Sequence, residues 1–231
     1  MKEEAKHPTA IFVIGCPRSG TSMTAAILHL CGAWGRLAVD GNVRSSGFHL
    51  QVLDNKVLEP ALSLGGNAVK KGRFTLPNLP LIPSRIESLR DRIHGVLHGL
   101  SWNNQTYVIR SRLLLPFVRS LLDQMPEARI ILVRRSPEAI GNASVKTGWM
   151  AAVAERKWWQ DYAKLYNAEL HNLELIQDPR VMTLYPSSYL RGDLEDVKAV
   201  VKLCGLTWTK EADALLNELG TEEKQQEAND E

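Results

Sequence analysis

One stretch near the start of the chain limits its fold more than any other: Ile11-Phe12-Val13-Ile14-Gly15-Cys16-Pro17-Arg18-Ser19-Gly20-Thr21-Ser22. Four apolar residues read as a buried strand, a glycine-bounded loop follows, and hydroxyl residues open an amphipathic helix. The backbone N–H groups of such a loop converge on an anion, and the helix N-terminus adds a favourable dipole. Pro17 restricts the entry to the loop, and Gly20 permits close backbone approach. Gly15 and Gly20 have the separation of a Walker A loop, but Thr21 stands where a nucleoside-triphosphate site needs lysine. The cation lies inside the loop instead, at Arg18. This combination points to an anionic nucleotide other than ATP. The plainer alternative is a tight strand-to-helix turn whose Arg18 faces solvent.

Strand-like apolar runs occur at 11–14, 107–109, 130–133 and 181–185. Helical patterns over 21–30, 50–64, 84–100, 114–125, 137–146, 151–176 and 194–204 separate most of them. Strands joined through helices make crossover connections and a mainly parallel sheet. The expected fold is a three-layer α/β/α domain around a central sheet of about four to five strands. A chain of 231 residues holds one such domain with a proper core, here placed at 1–220. The acidic stretch 221–231 is expected to be disordered. Between Gly65 and Pro83 a basic, Gly/Pro-rich segment reads as irregular and is a candidate lid.

Composition narrows the partners. The net charge of +2 conceals a balance of −5 over 217–231, which leaves +7 for the remainder. A basic body suits an anionic ligand, and no interleaving of basic and aromatic residues favours nucleic acid. No run of about 18 apolar residues exists, so no membrane span is expected. Cys16, Cys31 and Cys204 are odd in number and widely spaced, which fits neither a disulfide framework nor a metal cluster. With a charged N-terminus that leads straight into the first strand, they point to a cytoplasmic setting.

A second constellation lies at Ala128-Arg129-Ile130-Ile131-Leu132-Val133-Arg134-Arg135-Ser136-Pro137-Glu138. A strand ends in two arginines, Ser136 suits an N-cap, Pro137 a first helical position and Glu138 the first turn. Arg135 is thereby delivered to the carboxyl edge of the sheet, the edge that carries the first loop and where open α/β sheets bind ligands. Two such junctions could hold two phosphate groups of one nucleotide. A solvated strand end is the alternative.

These residues resemble the sulfotransferases that use 3′-phosphoadenosine 5′-phosphosulfate (PAPS). Pro17-Arg18-Ser19-Gly20-Thr21-Ser22 is similar to their 5′-phosphosulfate loop, and Arg135-Ser136-Pro137 with Ser144 to their 3′-phosphate motif. Ser46-Gly47-Phe48, Leu53-Asp54-Asn55, Val108-Ile109-Arg110-Ser111-Arg112-Leu113 and the ending Leu206-Thr207-Trp208 follow in the family's order. The family's phosphate-binding serine usually falls at the position of Ala143. Ser144 is one residue later, about 100° round a helix.

The resemblance implies transfer of a sulfuryl group from PAPS to a hydroxyl or amine of a small-molecule or carbohydrate acceptor, leaving adenosine 3′,5′-bisphosphate (PAP). It implies that Arg18 and the N–H groups of Ser19, Gly20, Thr21 and Ser22 hold the 5′-phosphosulfate, with Arg135 and Ser144 on the 3′-phosphate. No metal is required. A base is needed near the sulfur; His49 is the first candidate, with Asp54 and Glu59 as alternatives. His29, His94, His98 and His171 lie in amphipathic patterns and read as structural. Arg110 and Arg112 suit the acceptor side or the sulfonate, or, as a pair at a strand end, a structural role. Two other readings stay open: a small P-loop kinase, and a nucleotide-binding module without catalysis.

Overall fold

A computed structural model of the chain describes residues 9–35, 68–71, 74–146 and 155–230. His49, Asp54, Glu59, the expected helix at 50–64 and the motif residues at 46–48 and 53–55 lie outside the described residues.

Four parallel strands form the central sheet: β1 (Ala10–Gly15), β4 (Tyr107–Arg110), β5 (Ala128–Val133) and β6 (Val181–Leu184), in the order β4-β1-β5-β6. Gly15 lies beside Val133, Val133 beside Leu184, and Val13 beside Arg110, so the carboxyl ends form one rim. The connection from β1 leads to β4 on one side, and that from β5 leads to β6 on the other. The order therefore reverses between β1 and β5, and a crevice opens outside their carboxyl ends.

Residues alternate between two cores because successive side chains of a strand point to opposite faces. Phe12, Ile14, Ile109, Ile130 and Leu132 pack on one side with α2 (Leu89–Gly99), a 3₁₀ turn (Arg112–Phe117), α3 (Val118–Gln124), α4 (Pro137–Lys146) and α5 (Arg156–Glu174). Ile11, Val13, Val108, Ile131, Val133 and Leu184 pack on the other with α1 (Thr21–Leu30), α6 (Pro186–Leu190), α7 (Glu195–Leu203) and α8 (Lys210–Asp230). The sheet is buried on both faces, which is why β1 reads as an unbroken apolar run. This is the expected three-layer α/β/α architecture.

Several elements depart from the expectation. The segment that reads as irregular carries a short antiparallel pair, β2 (Ala68–Lys71) and β3 (Phe74–Pro77). Leu76 is buried in the core, Pro77 accepts a hydrogen bond from the Tyr162 hydroxyl at 3.3 Å, and Ser84 N–H bonds the Pro116 carbonyl at 2.9 Å. Residues 76–84 are thus tied to the core. Pro116 interrupts the continuous helix that the pattern over 114–125 predicts; a 3₁₀ turn occupies that place and α3 begins after it. Helix α8 is absent from the sequence reading, and its backbone continues through 221–230, the stretch expected to be disordered. Glu, Gln, Lys and Ala in that stretch are all good helix formers, which charge counting alone overlooks.

Candidate nucleotide site at the carboxyl rim

The loop after β1 is tight because two glycines let it be. Ser19 N–H bonds the Cys16 carbonyl at 3.0 Å, and Arg18 and Gly20 both take left-handed φ values, 67° and 102°. A Cβ at Gly15 would lie 2.6 Å from both the Ser19 Oγ and the Val133 carbonyl oxygen. At Gly20 it would lie 2.6 Å from the Pro186 Cγ, so the start of α6 presses against the loop. The Tyr189 hydroxyl adds a second buttress, 3.1 Å from the Thr24 Oγ1, which also donates to the Gly20 carbonyl at 3.2 Å.

Helix α1 then begins with no side-chain cap and no acidic residue in its first turn. Among the described residues no side chain caps its first N–H groups, the arrangement that suits an anion at a helix N-terminus. Ser19 is fully buried, and its Oγ has no hydrogen-bond partner among the described residues. A buried hydroxyl is seldom left unsatisfied unless something outside the chain completes it. Cys16 is buried behind the loop, and that burial pushes its thiol pKa far up, so it contributes packing and no nucleophile.

Arg135 reaches this loop. Its Nη1 donates to the Arg18 carbonyl at 3.3 Å, joining the two strand-to-helix junctions across the switch point. Ser136 caps α4, its Oγ accepting from Ala139 N–H at 3.1 Å, and Asn167 of α5 donates to the Arg135 carbonyl at 3.0 Å. Partial desolvation and, after it, the Arg135 charge lower the pKa of Arg18, although the residue stands at the surface. Among the described residues neither Arg18 nor Arg135 has a carboxylate within ion-pair distance. Two cations held together without a counter-charge favour an anion from outside.

The neighbouring arginines differ. Arg110, at the end of β4, donates from Nη1 to the Ser22 Oγ at 2.8 Å and so touches the first turn of α1. Arg112 sits close enough for its charge to lower the pKa values of Cys16, Tyr162 and Tyr166 against the larger effect of burial, and its carbonyl accepts from the Tyr166 hydroxyl at 3.2 Å. Arg134 points to α5, where its Nη1 meets the two Glu174 carboxylate oxygens at 2.9 and 3.1 Å. Ser144 is buried on α4, on the face that also buries Ile140 and Gly141. A Cβ at Gly141 would lie 2.7 Å from the Gln160 Cγ, so this face packs on α5.

The structure thus brings together Pro17, Arg18, Ser19, Gly20, Thr21, Ser22 and Arg135, and adds Arg110. Sequence reasoning misses Asn167, Glu174, Pro186 and Tyr189 as supports of the rim. Only an arginine pair at a strand end facing an acid on a long helix would have hinted at one of them.

Comparison with known proteins bears on the family and the fold. A profile described as the sulfotransferase family matches residues 8–210. The fold is similar to that of the sulfotransferase STF9 from Mycobacterium avium, at 14% identity and a TM-score of 0.51, covering 93% of this chain and 68% of that one. It is similar also to a retinol dehydratase in a complex with retinol and PAP, at 15% identity and a TM-score of 0.51, covering 92% of this chain and 65% of that one. The chain thus spans about two thirds of the length of these structures. No curated protein matches it by sequence. From the profile match over most of its length, the chain belongs to the sulfotransferase family.

Proposed function

We propose that this protein transfers a sulfuryl group from PAPS to a hydroxyl or amine of a small-molecule or carbohydrate acceptor, releasing PAP. The observation that carries the reading is the contact of Arg135 with the loop at Arg18 across the switch point. One elongated nucleotide with a phosphate at each end suits two arginine-bearing junctions that share a rim. The residues present fit such a ligand: an orphaned buried Ser19 hydroxyl, an uncapped α1 N-terminus and, among the described residues, two guanidinium groups without carboxylate partners.

In this reading Arg18 and the N–H groups of Ser19, Gly20, Thr21 and Ser22 hold the 5′ end. They offset charge that develops on the departing phosphate. Arg135 takes the 3′-phosphate and so separates this nucleotide from ATP; Ser144 is assigned beside it. PAPS supplies the activated sulfuryl group. Because that group carries less negative charge than a phosphoryl group, the displacement requires positioning more than a metal ion. Arg110, which bonds Ser22, is assigned to steady the sulfonate. His49 is assigned to accept the acceptor proton.

The three free, buried cysteines suit a reducing, cytoplasmic setting. Among the described residues no helix is long and apolar enough to cross a membrane. Calorimetric titration with PAP and with ATP tests the nucleotide assignment: PAP should bind at least about tenfold more tightly. PAP release from PAPS in the presence of a panel of phenols, sugars and amines tests the reaction. Tighter binding of ATP, or no release with any acceptor, would overturn it.

A further inference from the structure

Helix α6 reaches the start of α1 at two points. Pro186 packs against Gly20, and three residues on the Tyr189 hydroxyl stands 3.1 Å from the Thr24 Oγ1. Thr24 and Tyr189 are both buried. The Thr24 hydroxyl also bonds the Gly20 carbonyl at 3.2 Å. A threonine hydroxyl has one proton, and a carbonyl only accepts. With both bonds made, that proton goes to Gly20, and the Tyr189 hydroxyl is the donor to Thr24. The Gly20 carbonyl accepts from the Thr24 N–H as well, at 3.0 Å, so two donors of one residue hold it.

The peptide that carries this carbonyl ends in the Thr21 N–H. Across a trans peptide the C=O and N–H lie in one plane and point in opposite directions. Holding the carbonyl along α1 therefore aims the Thr21 N–H outward from the helix N-terminus, to the side of the anion loop. Gly20, at φ 102°, has no Cβ to limit rotation of that plane, and the second donor supplies the restraint. The same loop buries the Ser19 hydroxyl, which has no hydrogen-bond partner among the described residues.

We propose that Tyr189 is a positioning residue of the nucleotide site, an inference that rests on the nucleotide reading above. Through Thr24 it fixes the Thr21 N–H on the group held in the loop, the 5′-phosphate of PAP or the phosphosulfate of PAPS. Tyr189 touches no ligand. Its ring packs in the core beneath α1, so phenylalanine keeps the packing and removes only the hydroxyl.

The test is calorimetric titration of PAP and, by displacement, of adenosine 3′-monophosphate, which lacks the 5′ group. The chains are the wild type, Y189F, T24V, T24S and the double variant Y189F/T24V, with melting curves to establish that each is folded. Y189F should bind PAP about fivefold more weakly, the worth of one net hydrogen bond, and adenosine 3′-monophosphate within a factor of about two of the wild type. T24V should weaken PAP at least as much, T24S should bind as the wild type does, and the double variant should be no weaker than T24V. A purely structural role predicts instead that Y189F weakens both ligands alike, or that the losses of Y189F and T24V add; either result overturns the proposal. Should Y189F not fold, T24V carries the same test, and equal losses for the two ligands overturn the proposal. A wild-type chain that binds PAP no more tightly than adenosine 3′-monophosphate ends the nucleotide reading itself. A wild-type preference for PAP that Y189F leaves untouched ends only the role of Tyr189.

Discussion

The two ends of the parallel sheet use the same residue type for different purposes. At the amino end every arginine considered is satisfied from within the chain. Arg180, just before β6, gives Nε and Nη2 to Asp178 at 2.9 and 2.6 Å and Nη1 to the Leu122 carbonyl at 2.8 Å. Arg129 bonds the carbonyls of Ala128, Glu127 and Leu203 at 2.9, 3.3 and 3.3 Å, and Arg90 reaches Glu127 at 3.4 Å. At the carboxyl end Arg134 meets a carboxylate in this way, while Arg18 and Arg135 lie against each other. What an arginine is for follows from who supplies its partners. Those at the amino end tie segments of the fold together, whereas at the carboxyl rim no described carboxylate meets Arg18 or Arg135.

The largest expected effect follows at the carboxyl rim. R18A removes a guanidinium with no carboxylate partner among the described residues and should weaken PAP binding by about 100-fold. As the side chain stands at the surface, unfolding free energy should change by no more than about 0.5 kcal/mol. Titration calorimetry and denaturant melts on one preparation measure both quantities. A variant that keeps its affinity but loses stability would place Arg18 with the structural arginines and break the comparison.

At the amino end the expectation is reversed. R180A takes the guanidinium away from Asp178, which keeps only the backbone N–H of residue 180, and from the Leu122 carbonyl, which should cost about 1–3 kcal/mol in stability. PAP affinity should match that of the wild-type chain, since Arg180 lies at the far end of the strands from the rim. A denaturant midpoint that did not move, or an affinity that did, would show that the two ends are coupled.

Much of this contrast is legible in the order of the residues alone. The βα junctions at Gly15 and Val133 follow from apolar runs, glycine spacing and the Ser136-Pro137 cap, and the bounds of α1 and α4 come out as expected. Parallel strands put both junctions on one edge, so the meeting of Arg18 with Arg135 can be anticipated. The division between Arg134 and Arg135 cannot. Strand alternation sends them to opposite faces, but the partner that marks Arg134 as internal, Glu174, is 40 residues away on a helix whose stripe shows only its apolar face. The β2–β3 pair is hidden for a local reason: Gly and Pro dominate that segment's composition, while its pairing is a matter of register between residues such as Val69 and Leu76. The assignment of Ser144 rests on its distance along the chain from Arg135, and sequence spacing carries no information on which face of α4 packs against α5.

The smallest expected effect separates the two ion pairs by acid. Burial raises the Glu174 pKa, but hydrogen bonds from Thr183, His171 and Arg134, with the Arg134 charge, outweigh it and leave the carboxyl below its usual range. The Asp178 carboxyl is lowered too, chiefly by its hydrogen bond from Arg180. A carboxyl whose pKa is lower folded than unfolded adds stability above the usual carboxylate range and loses it as pH falls through the lowered value. As pH falls from neutrality through the carboxylate range the wild-type chain should therefore lose more stability than E174Q, and D178N should likewise have a flatter profile. The rim differs because no described carboxylate faces Arg18 or Arg135, so protonating protein groups in that window has no counter-charge to remove there. Acid should then loosen the two internal pairs while any fall in PAP affinity follows protonation of the ligand's own phosphates. Denaturant melts of the three chains and PAP titrations across the same pH series give both curves. An affinity that declined together with Glu174 protonation would mean that this internal pair and the rim are coupled.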